Sequence, residues 1–345
     1  MKIAIHHRQN SYSDLWIEYC KKHDIQYKIV DAYANDILEQ LANCDAFMWH
    51  FHHLNYKDYL FAKQLIYVIE KQMGKICYPN FDTCWHFDDK IGQKYLLEAA
   101  CTPFIPTYIF YTRDEALSWI HQTTFPKIFK LRCGASSSNV QLTKNRKQAK
   151  LIINKSFSSG IKTFSHLELI KERYSDYKRG LVSIRNFLGL IKIWLFHLTP
   201  NEYYDFRKKE LGYVYFQDFL PNNDSDIRVL VIGNRAIAKK RINRVNDFRA
   251  SGSHINIFDQ NQIDIKYIKT AFEINKKLKM QSAAFDFLHD SNGNPLLTEI
   301  SYCSGIKNYR HYSGYWTDDL QWHKSNIDDF CNFIIKDIIA EIDKK

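Results

Sequence analysis

Gly212-Tyr-Val-Tyr-Phe-Gln-Asp-Phe-Leu-Pro-Asn-Asn-Asp-Ser-Asp-Ile-Arg228 is an apolar strand pattern that stops at a proline and an Asn-Asn-Asp turn, then restarts as a second strand. Two more strand patterns follow in Ala283-Ala-Phe-Asp-Phe-Leu-His-Asp-Ser-Asn-Gly-Asn-Pro-Leu-Leu-Thr-Glu-Ile-Ser301, joined by Asn292-Gly293, a hairpin signal. Asp286 lies on one of these strands and Glu299 on the other. If the strands pair, the carboxylates stand side by side and repel unless a cation lies between them. Mg²⁺, which favours one or two carboxylates together with nucleotide phosphates, suits such a pair. The competing reading is that one carboxylate only pairs with a lysine or arginine.

Between the two stretches runs a cationic series: Arg228, Lys239, Lys240, Arg241, Arg244 and Arg249. On a strand Lys239 and Arg241 share a face and Lys240 points away. The series reads either as a solvated edge or as a cluster facing a triphosphate or acyl phosphate, where charge develops during transfer. Upstream, Phe125-Pro-Lys-Ile-Phe-Lys-Leu-Arg-Cys-Gly-Ala-Ser-Ser-Ser-Asn-Val140 is a strand ending in Lys130 that enters a loop of small and hydroxyl residues at 133–138. Such a loop lets backbone N–H groups approach phosphate oxygens. An ordinary serine-rich turn is the plain alternative.

The N-terminal part alternates short strand patterns at 2–6, 26–30, 45–49 and 75–78 with amphipathic helical ones at 13–23, 34–43 and 57–73, with Gly74 as a C-cap. Alternation of this kind predicts an open parallel sheet with right-handed crossovers. The fold class is therefore α/β, with an N-terminal open-sheet lobe followed by α+β lobes. A helix should begin at Asp88-Asp-Lys90. A mixed lobe follows, with strands at 108–111 and 127–131, a helix from Asp114 and helices near 145–158 and 166–179. Strands at 213–219, 227–232, 235–240, 283–288 and 295–300 then surround a helix near 263–279, and a helix from about 326 follows. Residues 180–210 give no clear pattern.

Ligands of open α/β sheets bind beyond the carboxyl ends of the strands. Those ends carry His6-His7-Arg8 and His50-Phe-His-His53, so Arg8, His6 and His50 are candidates to hold a carboxylate or sugar acid. A histidine metal site lacks an evident third ligand, and exposed loop histidines fit equally well. Trp85-His86, Tyr302, Arg310-His311 and Tyr315-Trp316 could stack on a substrate or pack between lobes.

The chain has 345 residues and a formal net charge of +10, which favours anionic partners, yet its basic residues are spread out and form no nucleic-acid module. No apolar run reaches the roughly 18–20 residues of a membrane span. No signal-peptide pattern opens the chain, so a cytoplasmic protein is expected. Eight cysteines without a Cys-x-x-Cys pair predict reduced, mostly buried thiols.

Taken in order, Asp89-Lys90, Lys130 with Gly134-Ala-Ser-Ser-Ser138, Gln217-Asp-Phe-Leu220, Asp226-Ile-Arg228, Asp247-Phe-Arg-Ala-Ser251 and Asp286 with Glu299 resemble the ATP-grasp enzymes. The resemblance covers roughly 75–305 and points to the branch of ribosomal-protein glutamate ligases and glutathione synthetases, in particular to bacterial ATP-grasp proteins of surface-polysaccharide gene clusters. It implies an ATP-grasp fold divided into 1–86, 87–216 and 217–345, with ATP between two lobes and the 133–138 loop as a lid. Lys90, Lys130, Ser136 and Ser137 would then meet phosphates. Gln217, Asp218, Phe219 and Leu220 would meet adenine, and Asp226 would lie near the ribose. Arg228, Arg241 and Arg249 would face the transferred phosphoryl group, and Asp286, Glu299 and Ser301 would hold Mg²⁺.

Two positions depart from the family pattern: Asp218 stands where Glu is usual, and Ser301 where a metal-binding Asn is usual. The implied activity is an ATP-dependent carboxylate–amine ligase acting through an acyl phosphate, with a sugar acid or amino acid of polysaccharide assembly as substrate. A kinase of the same fold and a non-catalytic ATP-binding regulator of the synapsin kind are the alternatives. The implied partners are a small-molecule carboxylate and amine, with Arg310 as a further substrate contact, a glycan or sugar nucleotide as one form of acceptor, and a homodimer as one form of assembly.

Overall fold

The computed structural model describes residues 1–53, 55–134, 139–163, 174, 177, 183–185, 188, 209–244, 247–250, 253, 255–302, 305, 309 and 311–345. All of the expected helix at 166–179 but residues 174 and 177, and the candidates Ser136, Ser137 and Arg310, lie outside these residues, as does most of the 133–138 loop. The chain divides into two compact units, one of residues 1–53, 57–106 and 220–345, the other of residues 54–56 and 107–219. Residues 87–106, grouped by sequence with the central lobe, thus belong to the first unit.

The first unit begins with the expected parallel sheet. Strands β1 (Lys2–His6), β2 (Gln26–Val30), β3 (Ala46–Met48) and β4 (Ile76–Tyr78) pair in the order β2-β1-β3-β4. Helices α1 (Tyr12–Lys22), α2 (Ile37–Leu41) and α3 (Tyr56–Tyr67) make the crossovers. The last turn of the helix expected to run to 73 is π-helical, over Val68–Gln72. Parallel strands covered on both faces read as nearly continuous apolar runs, and β1 shows why: Ile3 and Ile5 enter one core and Ala4 another.

The same unit holds a seven-stranded sheet formed by β11 (Ser225–Ile232), β12 (Arg235–Ile242), β13 (Asn256–Ile257), β14 (Ser282–His289), β15 (Pro295–Ser301), β16 (Gly314–Thr317) and β17 (Trp322–Lys324). Its main path is β15-β14-β11-β12-β16-β17, with β13 on β12. Helix α8 (Ile265–Lys277) covers one face, packing Ile268, Ala271 and Ile274 on Val229, Val231, Phe285 and Phe287. On the other face Leu230, Ile232, Ile237 and Ala284 join Ile3, Ile5, Trp16 and residues Phe330, Ile334 and Ile338 of α9 (Ile327–Ile342) in a single core. That face is apolar at one end only; toward the start of β11 it becomes charged.

The second unit is an antiparallel sheet of β5 (Thr107–Phe110), β6 (Lys127–Lys130), β7 (Val140–Thr143) and β10 (Val214–Asp218), ordered β5-β10-β6-β7. Helices α6 (Arg113–Trp119) and α7 (Arg146–Ser156) pack on Phe129, Val214 and Phe216. A short ladder joins β8 (Ile161–Lys162) to β9 (Lys209–Glu210). No helix among the described residues is long and apolar enough to cross a membrane. Cys20, Cys44, Cys77, Cys84 and Cys133 are buried free thiols and Cys101 is exposed.

Candidate functional site

Register brings the charged residues of the first unit together. Arg228 lies opposite Asp286 on one side and Lys239 on the other, Asp226 lies opposite Arg241, and Asp286 lies opposite Glu299. Because directly paired antiparallel residues share a face, Asp226, Arg228, Lys239, Arg241, Asp286 and Glu299 all project from the same side of four strands. Lys240 pairs with Ile227 on the opposite side, as the alternation requires.

The cluster is buried, not a solvated edge: Lys239 is 3% and Arg241 6% exposed. Arg228 grips Asp286 with both Nε and Nη2 at 2.6 Å. Arg241 donates from Nε to Asp226 at 2.6 Å and from Nη2 to Asp286 at 2.8 Å. Burial opposes ionisation of Asp286, but the Arg228 and Arg241 guanidiniums outweigh it and hold the carboxyl well below the usual range. Asp226, more affected by burial and sharing one guanidinium, is shifted upward instead. Lys239 lies over the Tyr309 and Phe258 rings, 5.0 and 5.6 Å from their centroids. Burial, then Arg228 and Arg241, lowers its pKa to about 7. Two guanidiniums and a lysine that titrates near neutrality thus face Asp226 and Asp286, so added anionic charge would be welcome there and would favour the protonated lysine.

Lys90 arrives from a different element. Helix α5 (Lys90–Ala99) is capped by Asp89, whose carboxylate accepts from the Gly92 N–H at 3.0 Å. Gln93, one turn on, donates to the carbonyls of His86 and Ile300 at 3.1 and 2.8 Å and accepts from the Ile300 N–H at 3.3 Å. That clamp sets α5 against β15 and places the Lys90 ammonium 3.1 Å from Glu299. Gln93 gave no sequence signal, because its role depends on a strand some two hundred residues away.

Asp286, Glu299 and Ser301 offer hard oxygen donors on one face, which suits Mg²⁺ in chemistry, although an ion at Asp286 would share that carboxylate with two arginines. No group of three or more His, Cys, Asp or Glu suited to a metal occurs among the described residues, the N-terminal histidines included. Arg249 is held by Asp247, two residues before it, at 2.6 Å.

In the second unit Lys130, 7% exposed, pairs in register with Tyr215, and Gln217 donates to Thr107 Oγ1 at 3.1 Å on the same face. Asp218 projects from the opposite face, where Lys127 takes its carboxylate at 2.5 Å. The alternation of the strand therefore directs the Asp218 side chain away from Lys130, leaving the backbone of 217–219 as what this segment offers beside the lysine.

On the acceptor side Arg8 and His50 come together, with Arg8 Nη2 3.3 Å from His50 Nδ1. His6 instead accepts from the Ala32 N–H at 2.9 Å and packs edge-on against Tyr33 and Trp49. Trp316 packs against Trp322 across the β16–β17 hairpin, 4.4 Å between centroids, and Tyr315 against Phe333. Trp316 and Tyr315 are therefore packing residues. His86 is fully buried, with neither ring nitrogen hydrogen-bonded among the described residues.

Comparison with known proteins agrees with this architecture. Residues 209–319 match the RimK-like ATP-grasp domain. The chain is similar in structure to a RimK domain protein ATP-grasp from Sphaerobacter thermophilus (12% identity, 97% of this chain and 100% of that one, TM-score 0.55). It is also similar to D-alanine–D-alanine ligase from Bacillus anthracis (14% identity, 100% and 99%, TM-score 0.55). A third similar structure is N5-carboxyaminoimidazole synthetase from Staphylococcus aureus with ADP (14% identity, 96% and 76%, TM-score 0.54). A search of curated protein sequences found no match. The chain has the ATP-grasp fold, with a RimK-like ATP-grasp domain matched over residues 209–319.

Proposed function

We propose that the protein is an ATP-dependent carboxylate–amine ligase. The observation that carries this reading is the array of buried Lys239, Arg241 and Asp286 with half-buried Arg228 and Asp226 on one sheet face, and Lys90 and Glu299 at its edge, in a chain of ATP-grasp fold. Fixed cations of this kind stabilise charge that develops during phosphoryl transfer without reorganising.

In the proposed reaction the substrate carboxylate attacks the γ-phosphorus of ATP, releasing ADP and forming an acyl phosphate. An amine then attacks the acyl carbon, expelling phosphate and losing a proton to give the amide. Arg228 and Arg241 lower the cost of bringing anions into the sheet face, and Asp226 and Asp286 hold both guanidiniums in place. Lys90, Lys130 and the backbone at 217–220 would bind the nucleotide. Mg²⁺, held by Asp286, Glu299 and Ser301, would supply charge neutralisation at the phosphates. No side chain need serve as a nucleophile, so positioning and charge do the catalytic work. A sugar acid or amino acid is the substrate class we favour, with amide formation in glycan assembly as its setting.

Lys130→Ala and Glu299→Ala should each lower ATP turnover about 100-fold or more while the circular dichroism spectrum stays unchanged. Wild-type turnover in either variant would sink the site assignment. The activity itself is tested by incubating the protein with Mg-ATP and pooled sugar acids, amino acids and amines. ADP, free phosphate and a new amide mass are the expected products; a phosphorylated acceptor would make the protein a kinase.

A further inference from the structure

We propose that Arg8, Ser11 and His50 form an oxyanion-binding subsite that anchors a carboxylate of the small-molecule substrate at the crevice between β1 and β3. Its assignment to the ligase substrate rests on the function proposed above; the subsite itself rests on the geometry of the first unit.

The strand order β2-β1-β3-β4 places the switch point of the sheet between β1 and β3, because the chain leaves β1 toward β2 and returns on the other side as β3. The crevice at the carboxyl ends of two such strands is where open α/β sheets bind ligands. β1 ends at His6 and β3 at Met48, so Arg8 and His50 each stand two residues beyond a strand end, on the two sides of that crevice.

Hydrogen bonding fixes what the pair offers. Arg8 Nη2 lies 3.3 Å from His50 Nδ1 and 3.4 Å from Ser11 Oγ, and Ser11 Oγ is 2.8 Å from the same Nδ1. A guanidinium only donates, so Nδ1 is the acceptor and the imidazole proton sits on Nε2. Both groups therefore present N–H donors. All side-chain hydrogen bonds of Arg8 within the described residues run through Nη2 and end on neutral atoms, with no carboxylate at ion-pair distance. Arg228, Arg235, Arg241 and Arg249 each grip an aspartate. The Asp58 carboxylate acts on Arg8 only from beyond contact distance, so the half-buried charge is incompletely compensated, and an incoming anion relieves the remaining cost. Burial first and Arg8 second lower the His50 pKa to about 3, so His50 offers the crevice a neutral N–H donor throughout the physiological range.

The crevice adjoins the carboxylate strand. The Tyr302 ring lies 6.1 Å from that of His50 and stacks on Phe51 at 5.0 Å, while its hydroxyl donates to the Phe51 carbonyl at 2.5 Å. Tyr302 directly follows β15, three residues after Glu299. A substrate anchored at Arg8 is thereby held next to the strand that carries Glu299.

Calorimetric titration of the full chain without nucleotide, using D-glucuronate, succinate and inorganic phosphate as probes and glucose as the neutral control, tests the subsite. At least one anion should bind the wild type, and Arg8→Gln should weaken it about tenfold or more, the loss of a charge-assisted pair, with Arg8→Lys between them. Binding of the carboxylates alone identifies a carboxylate ligand; binding of phosphate alone identifies a phosphate ligand at the same oxyanion site. Absence of anion binding, or equal binding in wild type and Arg8→Gln, overturns the proposal. Mg-ATP titrated into the same preparations should bind all three proteins alike, which shows that the variants are folded. If Mg-ATP fails to bind any of them while anion binding depends on Arg8, the ligase reading fails and the subsite stands.

Discussion

Asp286→Ala is expected to cost about 3–5 kcal/mol of folding stability, the penalty for removing one partner from a buried ion network. Among the described residues Arg228 would lose its carboxylate partner, and Arg241 would keep Asp226. Arg241 would stay buried and Arg228 half-buried, since the strands that carry them are fixed by β12 and β14 pairing. Urea denaturation at neutral pH measures the loss, and a change under about 1 kcal/mol would show that the network does not hold the sheet. Glu299 makes the useful contrast. Its side chain is 36% exposed and, among the described residues, pairs with Lys90, so Glu299→Gln should change stability by less than about 1 kcal/mol while turnover falls. The two carboxylates stand opposite each other in register, yet one belongs chiefly to the fold and the other to the exposed edge of the site.

Acidification from pH 7 to pH 5 should remove about 4–6 kcal/mol. His50, His52 and His86 have folded pKa values lowered to about 3, with burial the leading cause for each. Their unfolded value is 6.5, above the folded one, so the unfolded chain takes up protons first. The stabilisation is complete above pH 6.5 and is lost as pH falls from there toward 3. Linkage assigns about 2 kcal/mol to each imidazole over those two pH units. His86→Leu isolates one share: it removes a fully buried imidazole without hydrogen bonds, so it should raise stability at pH 5 by about 2 kcal/mol relative to wild type. Unfolding midpoints that stay level between pH 7 and 5 in the wild type would refute the burial of these rings as neutral species.

The two predictions draw on parts of the chain that differed in legibility. The β14–β15 hairpin was readable because Asn292-Gly293 sits between two alternating runs, and Gly293 does adopt φ +78° there. The parallel sheet was readable because its strands are short apolar runs spaced by amphipathic helices. The β16–β17 hairpin was not: its strands hold four and three residues, and Trp316 against Trp322 supplies cohesion that periodicity cannot reveal. In the site, Asp286 stood out as a polar residue in an apolar strand, but its partner was not legible. Arg228 lies 58 residues away, and only the β11–β14 register brings the two within 2.6 Å. Lys239 and Arg241 carried the same ambiguity, since a lysine–arginine run on a strand looks alike whether solvated or buried. The side chain of Asp218 fell on the face opposite Lys130 because one residue of offset along a strand moves a side chain to the other face of the sheet.

The core beneath β1 also sets a schedule for synthesis. Ile3 and Ile5 emerge early from the ribosome, yet their companions include Leu230 and Ile232 and, last of all, Phe330, Ile334 and Ile338. Until α9 is released, the first sheet of a nascent chain has α1, through Tyr12, Trp16 and Ile17, on that apolar face but lacks the rest of its cover, whereas the β5–β10–β6–β7 sheet has every strand by residue 218. The inserted unit is therefore expected to fold while its host waits, and the waiting face is where a holding chaperone would engage. Brief proteolysis of ribosome-stalled chains ending before residue 327 should cut within β1–β4 and spare β5–β10; equal protection of both would show that the first sheet closes without α9.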